Sequence, residues 1–151
     1  TEQGEKTSSA PEGAPDTPIN PPALAIAAGG TFVAQGFSGD TRQLTQLIKD
    51  GVAHPGMAHI HVLQPCVTFT HHNTFSWFFK RVYKVDTTPY DFSNKTEAFT
   101  KALEWGDKIP TGLLYREIRP TLEERISELR HEPLVEKPLP VDLTATLQTF
   151  I

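Results

Sequence analysis

Cys66 is the only cysteine among the 151 residues. It follows a short apolar run, Ile60 to Leu63, that is broken by Gln64 and Pro65 and resumes at Val67, Thr68 and Phe69. Pro65 has no amide hydrogen and restricts Gln64, so a strand ladder cannot continue smoothly and the thiol is offered from an irregular turn. A sulfur so placed has three uses: ligand to a soft metal, nucleophile, or small buried hydrophobe. Histidines lie close enough to enter the first two. His59 and His61, two residues apart, share one face of a strand, and His71 and His72 follow the cysteine. A His/Cys zinc site is disfavoured because structural zinc ligands usually come in tighter Cys-x-x-Cys or His-x-x-x-His pairs. A Cys66 nucleophile with His71 or His72 as its base is chemically coherent, since a nearby imidazolium lowers a thiol pKa, but no third, orienting group is identifiable. Gly29, Gly30 and Gly36 do not have the Gly-x-Gly-x-x-Gly spacing of a phosphate cradle and read as a helix stop and a strand-end turn.

Composition narrows the field. At 151 residues with 38% hydrophobic content, the chain has the mass of one ordinary domain and can bury a core. A formal charge of -4 without any basic stripe gives no electrostatic reason to bind nucleic acid. No apolar run approaches the roughly 18 residues that span a bilayer, and the polar start lacks the regions of a signal peptide. No membrane partner is therefore expected, and the location expected is cytoplasmic. A lone cysteine also rules out an internal disulfide framework.

The elements that must position Cys66 can be read in order. Residues 1–21 are rich in Thr, Ser, Gly, Pro and charge and read as a loop or linker, long enough to suggest a segment missing before it. Pro22 suits the first position of a helix through Ala28. Thr31 to Ala34 predict a strand, Gly36 to Asp40 a turn, and Thr41 the cap of a second helix with an apolar stripe at Leu44, Leu47, Ile48 and Val52, and Arg42, Gln43, Gln46 and Lys49 outward. Ala58 to Leu63 predict the next strand. Helix and strand alternating through short links argue for a parallel α/β unit, in which ligands gather beyond the carboxyl ends of the strands. That is where Cys66 falls.

Downstream, Phe69, Phe75, Trp77, Phe78, Phe79 and Tyr83 make an aromatic stretch expected to pack against a partner subunit, with Lys80, Arg81 and Lys84 as a solvated patch. Asn94 with Glu97 predicts a helix start, Phe99, Ala102 and Leu103 its stripe, and Gly106 its end. Thr121 with Glu124 predicts a last helix bearing Leu122, Ile126 and Leu129, followed by an extended tail.

Several of these segments together resemble a known family. Asn20, Pro21, Ala23 to Ala28, Gly30 to Ala34, and then Val62, Leu63, Gln64, Pro65, Cys66, Thr68 and Phe69, with Asn73, Thr74 and Trp77 beyond, are similar to the β subunit of the 2-oxoacid:ferredoxin oxidoreductases. Ile109 and Gly112 to Tyr115 resemble the family's short closing strand or turn, and the likeness runs over residues 1–118. It implies part of a thiamine diphosphate-binding α/β fold, with a mainly parallel sheet flanked by helices and an extended carboxyl-terminal tail. Four segments follow: 1–21, continuing from a missing thiamine-binding segment; 22–70, the α/β core ending in the cluster-ligand turn; 71–118, an aromatic and helical extension; and 119–151, helix and tail. The chain would then be the carboxyl-terminal half of a β subunit.

The resemblance also implies chemistry. Cys66 matches the last of four cysteine ligands to a [4Fe-4S] cluster, with Gln64, Pro65 and Val67 as the cluster's surroundings and backbone groups near Gln64 and Val67 as donors to its sulfurs. Thiamine diphosphate and Mg2+ would be held mainly by segments without a match here. The implied reaction is CoA-dependent oxidative decarboxylation of a 2-oxoacid, with electrons passed through the cluster to ferredoxin. Implied partners are the amino-terminal half of the β subunit and the α, γ or δ subunits, with this piece inactive alone. Two other classes stay open on the residues themselves, a non-catalytic assembly module and a cysteine-histidine hydrolase.

Overall fold

Regular structure starts where Asn20 can cap it. In the computed structural model, which describes residues 3–7, 9–66, 68, 71–129, 134–136 and 142–150, the Asn20 carboxamide oxygen accepts the Ala23 amide at 2.9 Å while its Nδ2 donates to the Ala102 carbonyl at 2.6 Å. Helix α1 (Pro21–Ala27) therefore begins one residue earlier than expected, two prolines being tolerated in a first turn that needs no amide hydrogens. The chain divides into two units, Thr1–Arg119 and Pro120–Ile151.

In the first unit, strand β1 (Phe32–Phe37) is buried along its whole length. It runs three residues past the predicted Ala34, so Gly36 is a strand residue and not part of the turn. Packing is close there: a Cβ on Gly36 would stand 2.8 Å from Leu44 Cδ1, so the glycine leaves room for the Leu44 side chain of helix α2 against the strand. Helix α2 (Thr41–Ala53) is capped by Asp40, not Thr41; the Asp40 carboxylate accepts the Gln43 amide at 3.0 Å and pairs with Lys84 Nζ at 2.7 Å. The predicted apolar stripe holds only in part. Leu47 and Gly51 are buried, whereas Ile48 is 46% and Val52 83% exposed. Gly51 allows Ile60 to approach and narrows the contact, and Gln43, expected outward, has its Oε1 buried.

Strand β2 (Ala58–Leu63) has the predicted bounds and pairs in parallel with β1, Gln35 lying opposite His61. The segment expected to be a short closing strand or turn is instead an eight-residue central strand, β4 (Ile109–Arg116), antiparallel to β1 with an irregularity at Val33/Ala34. Strand β3 (Val82–Lys84), which the sequence did not suggest, adds in parallel to β4. The sheet order is β2-β1-β4-β3, and two of the three pairings are parallel. The expected α/β class, a mainly parallel sheet flanked by helices, is the one observed.

Helix α3 (Phe75–Phe79), between β2 and β3, gathers the aromatic stretch. Phe78 is buried against Phe37, Leu63 and Ile109, while Phe79 remains 59% exposed. Helix α4 (Lys95–Ala102) is capped by Asn94, which accepts the Thr96 and Glu97 amides. Its buried face is Ala98 and Ala102, not the predicted Phe99 and Leu103, because small residues allow it to lie on the same core as α1, Val33 and Leu114. The second unit contains the predicted Thr121/Glu124 capping box, but the helix it starts, α5 (Leu122–Arg125), lasts one turn. Short 3-10 turns at Ser127–Leu129 and Leu134–Glu136 and helix α6 (Thr144–Gln148) follow.

Candidate functional site

Strand β2 points its carboxyl end into a cleft of about 800 Å³, to which β1 contributes Gln35; beyond the carboxyl ends of strands is where parallel α/β units collect ligands. The loop before α1, the end of β2, the turn at residues 64–66, Asn73 and the rings of Phe78 and Trp105 line it. Every lining side chain is neutral or apolar apart from the titratable His61 and Cys66; no Lys, Arg, Asp or Glu takes part among the described residues.

A fixed hydrogen-bond chain crosses the floor. Gln35, 4% exposed, donates from Nε2 to the Pro110 carbonyl at 2.7 Å. A carbonyl can only accept, so the orientation of the Gln35 amide is settled and its Oε1 must face His61, whose Nδ1 lies 2.8 Å away. His61 Nδ1 therefore carries the hydrogen. Nε2 is left without a hydrogen-bond partner among the described residues, on a ring that lines the cleft. Burial holds His61 below the ordinary histidine range, and the neighbouring His59 adds to this. His59 shares the strand face, as predicted, but its Nε2 is buried and unpartnered.

Cys66 emerges just beyond. Pro65 behind it is buried, Gln64 and Cys66 are exposed, and Sγ lies 3.4 Å from Thr68 Oγ1. The irregular turn expected from Pro65 is present, and it aims the sulfur outward instead of into the core. Val67, predicted to surround a cluster, lies outside the described residues, as does Phe69. His71 and His72 are exposed, and the His72 ring lies 5.9 Å from that of Trp77, tilted by 50°. Among the described residues no three His, Cys, Asp or Glu side chains converge as a metal site.

Gln35 and Asn73 were missed as members of this site. Asn73 has a buried, unpartnered Oδ1 in the lining. Gln35 left a faint signal: a polar residue inside a strand that is otherwise buried throughout needs a polar partner, and the parallel register supplies His61.

Comparison with known proteins bears on the same segments. The model of the family described as the C-terminal part of the pyruvate ferredoxin oxidoreductase β subunit matches residues 66–131, beginning at Cys66 itself. The chain is 44% identical to a 2-oxoacid:ferredoxin oxidoreductase β subunit of Sulfolobus over 82% of its own length and 44% of the relative's. It is 41% identical to the corresponding subunit of Saccharolobus solfataricus, over 83% of its length and 45% of that protein's. A solved structure of the 2-oxoglutarate:ferredoxin oxidoreductase from Magnetococcus marinus, with 2-oxoglutarate, coenzyme A and succinyl-CoA bound, superposes with a TM-score of 0.81 at 28% identity, covering 99% of this chain and 50% of that one. The chain thus spans a little under half the length of these curated relatives. Sequence and fold agree that it belongs with the β subunits of the 2-oxoacid:ferredoxin oxidoreductases.

Proposed function

We propose that this chain is the part of an oxidoreductase β subunit that supplies one cysteine ligand to an iron-sulfur cluster, in a complex oxidising a 2-oxoacid with CoA and passing electrons to ferredoxin. The observation that carries the reading is Cys66: exposed, on a turn at the carboxyl end of β2, opening a neutral cleft. Thiolates are the ligands suited to such clusters, and a loop has the freedom to aim sulfur at iron.

The fit is one ligand deep. Cys66 is the only cysteine, so the remaining thiolates come from other polypeptide, consistent with a chain that covers less than half of its relatives. Mg2+ and diphosphate do not fit these residues, since the lining offers no carboxylate and no cation; in this reading they are held elsewhere in the complex. A cluster held at Cys66 supplies one-electron transfer when bound. What the chain's own residues contribute is position and surroundings. Pro65, buried, fixes the turn, and the backbone amides of Gln64 and Cys66 lie in the sulfur's neighbourhood, where hydrogen bonds and burial set a cluster's potential.

Iron and acid-labile sulfide analysis of the anaerobically purified complex tests the assignment. Stoichiometric iron and sulfide together with ferredoxin reduction by a 2-oxoacid is the expected result. An iron-free, stable complex would make the chain an assembly module, and inhibition by a thiol reagent without iron would make it a cysteine-histidine hydrolase.

A further inference from the structure

The two edges of the sheet are built differently. Edge strand β3 is three residues long and ends in Lys84, which pairs with Asp40; short length and charge are how proteins close off a sheet. Edge strand β2 is six residues long, contains no Lys, Arg, Asp, Glu or Pro, and keeps an unbroken register with β1. The Met57 and Leu63 carbonyls accept from the Phe32 and Ser38 amides, so the odd-numbered residues of β2 turn their backbone groups to β1. Backbone groups alternate sides along a strand. The N–H and C=O groups of Ala58, Ile60 and Val62 therefore point to the outer edge, where no strand among the described residues meets them.

Helix α2 overhangs that same edge. Gln43 lies beside Gly112 of β4, and Gly51 lies beside Ala58 and Ile60 of β2. At about 3.6 residues per turn, the rotation that leads from Gln43 through Leu47 to Gly51 continues to Ile48 and then Val52. Those two side chains thus stand on the β2 side of the helix, past the edge of the sheet. Both are exposed, and so is Met57 at the start of β2. The apolar stripe of α2 is wider than β1 and β2 can cover, and its uncovered part lies over the open edge.

We infer that the outer edge of β2 receives a strand of the remaining β-subunit polypeptide, which continues the sheet beneath Ile48 and Val52. Length identifies the occupant. More than half of each curated relative lies outside the part matched by this chain, and half of the solved neighbour does, although 99% of this chain is covered by that neighbour. Main-chain bonds to Ala58, Ile60 and Val62 hold such a strand, and Ile48, Val52 and Met57 select apolar side chains on its α2 face. Of the proposed function, the inference rests only on the chain's place in a β subunit; it needs no cluster.

The test uses the intact complex with the photo-crosslinking residue p-benzoylphenylalanine in place of Val52, whose 83% exposure keeps the substitution out of the chain's own core. Cross-links located by mass spectrometry are expected to run to the remaining β-subunit polypeptide. In the unsubstituted complex, hydrogen exchange read amide by amide should show Ala58, Ile60 and Val62 slowed by about 100-fold or more relative to unpaired amides, in step with His59, His61 and Leu63. Fast exchange at the three even-numbered amides beside slow exchange at the odd-numbered ones overturns the inference. So does an absence of cross-links, or cross-links that run only to a second copy of this chain or to another subunit. Iron and sulfide content is measured on the same samples to keep the two readings apart. An iron-free complex with the expected cross-links and protection overturns the cluster assignment and leaves the strand addition standing; a cluster-bearing complex with an open β2 edge does the reverse.

Discussion

The two ends of the β1–β2 pair use the same kinds of residue to opposite effect. At the amino end, the Thr31 hydroxyl donates to the Met57 carbonyl at 3.1 Å, so it must accept from His54 Nε2 at 2.9 Å; His54 is 6% exposed and its Nδ1 is buried. Gly56, at φ +129°, makes the room, since a Cβ there would meet Thr31 Oγ1 at 2.9 Å. His54 and Thr31 turn inward there and tie down the loop from α2 to β2. At the carboxyl end an equally well anchored histidine, His61, has its second nitrogen beside an open cleft, and the chain then breaks at Pro65 to expose a thiol. Fixed histidines are thus common to both ends, and an outward-facing sulfur beside a neutral cleft belongs to one. This is why the proposed function rests on Cys66 and not on His54.

The contrast can be broken first at Phe37. It is 1% exposed at the carboxyl end of β1 and packs on Phe75, Phe78 and Phe79, so Phe37→Ala should cost about 3–5 kcal/mol of stability, measured by denaturant unfolding of the complex. A loss under about 1 kcal/mol would mean that the aromatic cluster does not hold the cleft wall. Next comes the amino end. His54→Ala should cost about 1–3 kcal/mol through the hydrogen bond lost to Thr31 yet leave iron and sulfide per folded complex unchanged; loss of cluster from the folded variant would erase the distinction between the ends.

A third prediction concerns pH. His54, His59 and His61 are all held below the ordinary histidine pKa, in each case first by burial. The unfolded chain then binds protons more readily than the folded one, so their contribution to stability is intact above about pH 6.5 and is lost as pH falls through the lower folded values. Melting temperature should therefore drop on acidification below that point, and a melting temperature that is constant or rises there would contradict the burial of these rings. The smallest effect is expected at Asp40, where Asp40→Asn keeps the cap of α2 but loses the exposed pair with Lys84; thermal unfolding should register only about 0–1 kcal/mol.

Legibility in the sequence tracked how local each cause is. β2 was readable to the residue because its apolar run is bounded by Gly56 and Pro65, and the capping residues Asn94 and Thr121 act within three positions of themselves. β3 and the true length of β4 were not, because Val82–Lys84 is a strand only by pairing with residues 109–111. The exposed faces at Val52, Phe99 and Leu103 were misread for a related reason. Helical spacing identifies an apolar face, but Gly51, Ala98 and Ala102 decide which side lies close enough to be covered. At the site, Cys66 announced itself by type and by the proline before it; Gln35 and Asn73 became visible only once the parallel register and the cavity were known.

The central claim is tested most directly by replacing Cys66 with Ala and assaying iron and acid-labile sulfide in the intact anaerobic complex. With the sulfur a cluster ligand, the variant complex should assemble with loss of most of the about four iron and four sulfide of one cubane, and its reduced electron paramagnetic resonance signal should disappear in parallel. A variant complex with the full wild-type content of both would show that Cys66 anchors no cluster.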